Sequence, residues 1–202
     1  PTGSALPAQA IGRGLVRFLP RDIAVRECAD APAHFDARRS ARLRWYRFFL
    51  CNRSYRPAVG NQYLTHIKGK LDIDRMRAAA KVLTGEHDFV AFRSVACTAK
   101  RTSLTMRPII ITTLADDIIQ IDYQCRSFLH NMVRILTGAL VAAGRNKIST
   151  DEIAAMLATG QRHQLAVTVA PHGLLLGRGA VRLQNLFDRG GGGGKLAGGA
   201  RL

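Results

Sequence analysis

Apolar and polar positions along this chain repeat at two spacings, which predict a mixture of strands and helices. A spacing of two residues, or a run rich in Ile and Thr, predicts strands over residues 23–28, 43–51, 106–114, 117–125 and 173–183. The spacing of an amphipathic or buried helix is found over residues 4–17, 72–83, 128–143 and 149–157. The runs 106–114 and 117–125 are separated by Asp116 and are expected to form an antiparallel pair.

Capping residues support the helix boundaries. Asp72 is suited to cap the second helix, which Gly85 is expected to end, and Ser149 with Glu152 forms a capping box for the last one. Gly144 is expected to close the apolar third helix. We therefore predict an α/β mixed (α+β) fold, with a largely antiparallel sheet and helices packed on one face. Residues 1–188 are expected to form one main domain, and the Gly-rich residues 189–202 a disordered tail.

The predicted strand 43–51 has aromatic and basic side chains on both of its faces. Trp45, Arg47 and Phe49 fall on one side, and Arg44, Tyr46, Phe48 and Leu50 fall on the other. A strand buried on one face would show a simpler alternation. We expect this strand to line a cleft.

The charge of the chain points to a polyanionic partner. Lys and Arg number 30 against 14 Asp and Glu, a formal net charge of +16. Residues 13–56 contain eleven arginines and four acids, whereas residues 108–160 are close to neutral. Arginine is suited to bidentate phosphate contacts, so we expect nucleic acid to bind the basic stretch. The alternative is that this stretch is only a solvated face.

Other features exclude several classes of protein. Cys28, Cys51, Cys97 and Cys125 are widely spaced, so neither a metal site nor a disulfide framework is predicted, and a reducing intracellular compartment is expected. No apolar run has the length of a membrane span. Because the first residue is Pro and not Met, we expect a processed or truncated chain, from which a targeting segment can have been lost. Cytoplasm and mitochondrial matrix both remain open.

Five segments stand in the order and spacing of a known family. They are Leu19–Val25; Phe35–Arg38 with Ser40-Ala41, Tyr46–Phe48, Asn52 and Arg56-Pro57; Gly85–Phe89 with Phe92-Arg93; Phe128–Arg134 with Gly138 and Gly144; and Ala170–Leu174. Over roughly residues 15–184 the chain resembles the C-terminal half of the TruA-type tRNA pseudouridine synthases. The resemblance implies a pseudouridine-synthase-like fold and an enzyme that detaches uracil from its ribose in tRNA, turns it and rejoins it through carbon. It implies no cofactor and no metal.

The resemblance also assigns roles to two residues. Arg134 matches an arginine that pairs with the nucleophilic aspartate and keeps it ionised. Tyr46 matches a tyrosine that lies against the target base, where its hydroxyl can take part in proton transfer. The alternatives are that Arg134 is a solvent-exposed helix arginine and that Tyr46 is a core aromatic.

The nucleophile itself is not found by its motif. The family carries it in a G-R-T-D-x-G-V-H-A loop, and none of the eleven aspartates here stands in that context. Asp36 lies near Arg38, but the resemblance does not support it as nucleophile. We therefore expect the nucleophile-bearing N-terminal half to be absent from this chain.

Two hypotheses about function follow and remain open. The first is a tRNA pseudouridine synthase whose N-terminal half is supplied separately. The second is a catalytically inactive homologue, a pseudoenzyme that serves as an RNA-binding subunit of a (mitochondrial) ribosome or its assembly machinery. The partner is tRNA or rRNA, and the assembly is a homodimer or a larger ribonucleoprotein. A DNA-binding regulator is disfavoured because no helix-turn-helix, zinc or basic-zipper pattern is present.

The candidate RNA-binding residues are arginines, several of them interleaved with aromatic residues. They are Arg38, Arg39, Arg42, Arg44, Arg47, Arg56, Arg93 and Arg126. For Arg93 a capping or ion-pairing role would explain the residue equally well. Trp45 and Arg39 stand where the family more often has a basic and an apolar residue, respectively, so the cleft is expected to be altered.

Overall fold

A computed structural model describes residues 5–115 and 117–177, which divide after Ser40 into two units. In the first unit, helix α1 spans Ala8–Leu15, inside the predicted range 4–17. The predicted strand 23–28 is wrong, because these residues have no strand beside them and lie against α1 instead. A Cβ placed on Gly12 of α1 would stand 2.8 Å from the Cβ of Cys28. Alternation alone does not make a strand without a partner for its N–H and C=O groups.

The second unit is built on a sheet of seven strands within its described residues. They are β1 (Arg44–Asn52), β2 (Thr65–Ile67), β3 (Gly85–Asp88), β4 (Ser103–Met106), β5 (Ile110–Ala115), β6 (Ile118–Cys125) and β7 (Leu174–Leu176). β1 and β6 are the central antiparallel pair. β7 and β2 share the other edge of β1, and β2 is parallel to it. β5 and β4 share the far edge of β6, and β3 pairs with β4.

The central strands confirm the predicted antiparallel sheet, and the shorter strands differ from it. The predicted strand 106–114 is two strands, because Pro108, which has no N–H to donate, lies between β4 and β5. β2 and β3 were not predicted, since three or four residues are too few to show a period. β7 lies within the predicted range 173–183. Residues beyond 177, including the predicted tail, lie outside the described residues.

Three helices follow in the second unit: α2 (Ile73–Val82), α3 (Met132–Gly144) and α4 (Thr150–Thr159). Asp72 caps α2 by accepting from the main-chain N–H groups of Asp74 and Arg75, both at 3.0 Å. The capping box of Ser149 and Glu152 is formed at α4. Gly85 does not end α2 but starts β3 with φ 110°. α3 begins at Met132 and not at 128, because Asn131 has φ 59° and interrupts the helical backbone.

The core lies between one face of the sheet and α3. Twelve of the thirteen residues of α3 are buried. The fully buried Tyr123 of β6 hydrogen-bonds through its hydroxyl to Oγ1 of Thr137 at 2.8 Å, which fixes α3 over the centre of the sheet. α2 packs on α3 at Gly144, where an added Cβ would stand 2.8 Å from Cγ of Met76. Nowhere in the described parts of the chain is a helix long and apolar enough to cross a membrane.

Candidate active site

Tyr46 lies near the beginning of β1, on the face of the sheet that also carries the buried Phe48. It stands directly opposite Tyr123 on β6. Its ring packs edge-on against Phe128, with the centroids 5.0 Å apart and the planes at 89°. The side chain is half-buried, and no hydrogen bond to its hydroxyl is formed within residues 5–115 and 117–177. An aromatic ring packed against Phe128 and a phenol that no described residue hydrogen-bonds suit contact with a base.

Arg134 lies in the first turn of α3 and is half-buried. Its Nε donates to the carbonyl oxygen of Val169 at 2.7 Å, and its Nη1 donates to Oδ1 of Asn131 at 3.1 Å. Both acceptors are neutral. None of the ion pairs formed in the described part of the chain includes Arg134. The guanidinium is therefore oriented by the protein while its charge is not balanced by a described carboxylate.

The fold brings the surroundings of Tyr46 and Arg134 to the same end of the sheet. Thr137, which bonds Tyr123 opposite Tyr46, follows Arg134 by three residues, roughly 4.5 Å along α3. Val169, the acceptor for Arg134, precedes β7, whose Leu176 stands opposite Tyr46 on the other edge of β1. The predicted pair is thus placed by one set of connected elements, β1, β6, β7 and α3.

The candidate RNA-binding arginines of the second unit differ in their exposure and in the hydrogen bonds and ion pairs that they form. Arg42 and Arg56 are exposed, and neither takes part in an ion pair with any described residue. Arg44 donates through Nη1 to the carbonyl of Arg126, which joins the ends of β1 and β6. Arg93 donates weakly to the carbonyl of Ala99, at 3.4 Å. Contact of these residues with RNA stays a prediction.

Arg47 is the candidate whose charge is compensated inside the protein. Its Nε lies 2.8 Å from Oδ1 of Asp122, directly opposite on β6, and its guanidinium lies 4.9 Å from the centre of the Trp45 ring. Trp45 Nε1 and Gln120 Nε2 also donate to the same carboxylate, at 2.9 and 2.7 Å. This cluster was not predicted from the sequence. The sequence did contain a signal for it: apolar and polar residues alternate over residues 118–125, which puts Gln120 and Asp122 on the face of the sheet opposite Tyr123.

Arg38 and Arg39 lie in the first unit, in a turn organised by Asp36. The carboxylate accepts from the main-chain N–H groups of Arg39 and Arg38, at 2.6 and 2.9 Å. The hydrogen bond from the Arg39 N–H is the main reason that the pKa of Asp36 lies below its usual value. Asp36 therefore serves a turn, which is a common local role of this side chain.

Comparison with known proteins identifies the family. A family model described as tRNA pseudouridine synthase matches residues 79–178, which include α3 and β7. The chain is 38% identical to tRNA pseudouridine synthase A of Geotalea uraniireducens over 175 residues, covering 87% of this chain and 71% of that protein. It is 39% identical to the protein of the same name from Syntrophotalea carbinolica, with 87% and 69% covered, and 40% identical to that of Citrifermentans bemidjiense, with 87% and 70% covered. The chain therefore belongs to the tRNA pseudouridine synthase A family, as the resemblance predicted.

Proposed function

We propose that this chain, together with the part that supplies the nucleophile, isomerises uridine to pseudouridine in tRNA and that Arg134 receives the nucleophilic carboxylate of that reaction. One observation carries the proposal: Arg134 is half-buried and held by Val169 and Asn131, yet none of its described neighbours balances its charge. A cation in such a position favours the ionised form of an acid beside it and lowers the pKa of that acid. The carboxylate is not identified among the residues of this chain, and Arg134 is the residue that would pair with it.

Tyr46 supplies the second part of the site in this proposal. Rejoining uracil to ribose through carbon requires that the hydrogen on that carbon leave as a proton. A phenol that no described residue hydrogen-bonds, on a ring packed against Phe128, can lie against the base and relay that proton, releasing its own hydroxyl proton as it takes up the one from carbon. The reaction requires no redox step, since substrate and product are isomers.

The net charge and the exposed arginines support tRNA as the substrate-bearing partner. The formal charge of +16 favours binding of a polyanion, and the curated relatives are named for tRNA. The reacting uridine must leave its stack to meet Tyr46 and Arg134, as in other enzymes that act on bases.

Tritium release from a tRNA transcript labelled at C5 of uridine tests the proposal, because rejoining at that carbon frees the label. Arg134→Ala should lower the rate by about a hundredfold or more, since the carboxylate loses its placement. tRNA affinity should stay within about twofold, because one contact inside the site contributes little to a salt-dependent interface. Arg145→Ala is the matched control: Arg145 follows α3 at its opposite end, and its guanidinium donates to the carbonyl of Lys68.

The outcomes separate the open hypotheses. The synthase hypothesis is supported if the wild-type protein and Arg145→Ala release tritium and Arg134→Ala does not. Unchanged release in Arg134→Ala contradicts the role of Arg134. Tight tRNA binding with no tritium release, even when the separately supplied N-terminal half is added, supports an RNA-binding homologue in place of the enzyme.

A further inference from the structure

A cavity of about 290 Å³ lies at the end of β1 away from Tyr46. It is formed by the loop after β1, the beginning of β2 and the turn before β7, and its polar lining comes from Arg56, Asn61, Gln62, Thr65, His66 and His172. Thr65 stands opposite Leu50, four residues along β1 from Tyr46, roughly 13 Å. This cavity is therefore separate from Tyr46.

The electrostatic character of the cavity favours an anion. None of its lining residues is Asp or Glu. Arg56 is exposed and belongs to no ion pair in the part of the chain that the structure describes. The amides of Asn61 and Gln62 add neutral donors at the same wall. A phosphoryl group is the anion best suited to a guanidinium with several N–H donors around it.

Hydrogen bonds inside the protein hold the cavity walls in place. The buried hydroxyl of Thr65 donates to the carbonyl of Ala170 at 3.1 Å and accepts from the N–H of Gly173 at 3.2 Å, so it fixes the turn that carries His172. Nε2 of His66 lies 2.8 Å from the carbonyl oxygen of Arg53 and must donate to it. In a neutral ring Nδ1 is then an acceptor, suited to a hydroxyl donor.

Two exposed tyrosines lie in the loop that provides Arg56, Asn61 and Gln62, each next in sequence to a residue that lines the cavity. Tyr55 is 67% exposed and Tyr63 is 59% exposed, which is unusual for residues that gain by burial. Tyr55 is held by Arg53, whose guanidinium lies 4.5 Å from the ring centre while it also pairs with Asp117 at 3.0 Å. Exposed aromatic rings in the loop of a basic cavity, one of them held by an arginine, suit binding of a single-stranded nucleotide by stacking.

We propose that this cavity binds one tRNA nucleotide other than the reacting uridine: its phosphate at Arg56, its 2′-hydroxyl at His66 and its base on Tyr55 or Tyr63. The inference rests on the proposed function, since it needs tRNA as the partner. It adds a second contact point about a strand's length from Tyr46, which would fix how the RNA lies across β1.

Filter binding of a tRNA transcript at several salt concentrations tests the site. Arg56→Ala should weaken binding roughly three- to tenfold and reduce the slope of log K against log salt by about 0.7 to 0.9, the value of one phosphate contact. Lys81→Ala is the matched control: Lys81 is an exposed cation on the last turn of α2, and its loss should change neither value beyond the effect of one net charge. Tyr55→Ala and Tyr63→Ala together should weaken binding about fivefold or more at any salt concentration, through lost stacking.

Two further arms identify the ligand. A DNA strand of the same sequence should bind less tightly than the RNA, and His66→Ala should reduce that difference, because the 2′-hydroxyl distinguishes the two. Inorganic phosphate should compete with tRNA only in proportion to the ionic strength that it adds. Stronger competition by phosphate, equal in the wild-type protein and in the tyrosine variants, would show that the cavity binds free phosphate. That result would overturn the proposal.

The failure of this inference is distinguishable from failure of the proposed function. If the wild-type protein, together with the part that supplies the nucleophile, does not bind or isomerise tRNA, the proposed function is wrong. If it does both, while Arg56→Ala matches Lys81→Ala in affinity and salt slope, only the nucleotide site is wrong. Ultraviolet crosslinking of bound tRNA, mapped by mass spectrometry to residues 53–64, provides an independent measurement.

Discussion

Gly138 of α3 lies against the main-chain carbonyl of Val167, so closely that a Cβ built on the glycine would stand 1.9 Å from that oxygen. Arg134 precedes Gly138 by four residues, about one helical turn, and takes the carbonyl of Val169 as its acceptor. The N–H of Val169 in turn lies 3.4 Å from the carbonyl of Arg134. Residues 167–169 therefore run along one face of α3, and the glycine allows the approach that orients the arginine.

Gly138→Ala should lower the isomerisation rate by about a hundredfold while tRNA affinity changes little. The added methyl group cannot be accommodated by a flexible side chain, because its neighbour is backbone, so the segment 167–169 must move away and Arg134 loses its acceptor. The free energy of unfolding should fall by about 1–3 kcal/mol, as in other overpacked sites. Tritium release, filter binding and urea unfolding of the same preparation measure the three quantities.

Gly14→Ala is the control for the substitution itself. Gly14 is also a helical glycine, in α1, but no atom lies within 4 Å of the position that its Cβ would take. Alanine is favoured over glycine in a helix by about 1 kcal/mol, so this variant should be slightly stabilised and fully active. A loss of isomerisation in Gly14→Ala equal to that in Gly138→Ala would contradict the specific role of the Val167 contact.

Period and capping predicted most of the long elements of this fold. The apolar residues of β6 alternate on one face, and the caps at Asp72 and Ser149 are formed as their residue types indicate. The elements that were wrong or missed depend on partners distant in the chain. Residues 23–28 alternate but meet a helix, and β2 forms because Thr65 stands beside Leu50. No local pattern carries that information.

The candidate site was predictable only in part, and for a different reason. Family motifs identified Tyr46 and Arg134. Their neighbours, however, depend on the register in which the strands pair, which the motifs do not give. Asp122 meets Arg47 because β1 and β6 are antiparallel in a register that puts these residues opposite each other, and a shift of one residue would separate them. The family motifs include Gly138, but they do not show why a glycine is needed there. The reason is its contact with Val167, which is distant in the chain and comes close only in the tertiary structure.

Asp122→Asn tests whether Arg47 contacts RNA. The substitution keeps an acceptor for Trp45 and removes the negative charge that compensates Arg47, so a phosphate-binding Arg47 should gain affinity. The salt slope of tRNA binding should steepen by about 0.7 to 0.9, equivalent to one added contact. Asp151→Asn, at an exposed acid on α4, changes the net charge equally and serves as the control. Equal effects of the two variants would show that Arg47 has a structural role.

The buried pair of Tyr123 and Thr137 should give unequal costs for its two single substitutions. The Thr137 hydroxyl donates to the carbonyl of Val133 at 2.8 Å, so it accepts from the Tyr123 hydroxyl. Tyr123→Phe removes only that donor and should cost about 1 kcal/mol, whereas Thr137→Val leaves a buried phenol without a partner and should cost about 1–3 kcal/mol. The double variant should be more stable than the sum of the two single effects predicts, and urea unfolding of all four proteins measures the coupling.

The same tyrosine should make the protein sensitive to alkali. Burial raises the pKa of Tyr123 above its ordinary value, because the charged phenolate would lose its hydration inside the core. The unfolded chain therefore releases this proton at a lower pH than the folded protein does. The contribution of the neutral phenol to the free energy of unfolding is complete below about pH 10 and decreases as the pH rises from there toward the pKa of the folded state. Burial also raises the pKa of the thiols of Cys51 and Cys125, which add a similar loss. Above pH 10 the free energy of unfolding of Tyr123→Phe should decrease less than that of the wild-type protein, as measured by urea unfolding at several pH values. Equal decreases in the two proteins would contradict the role of Tyr123 in this sensitivity.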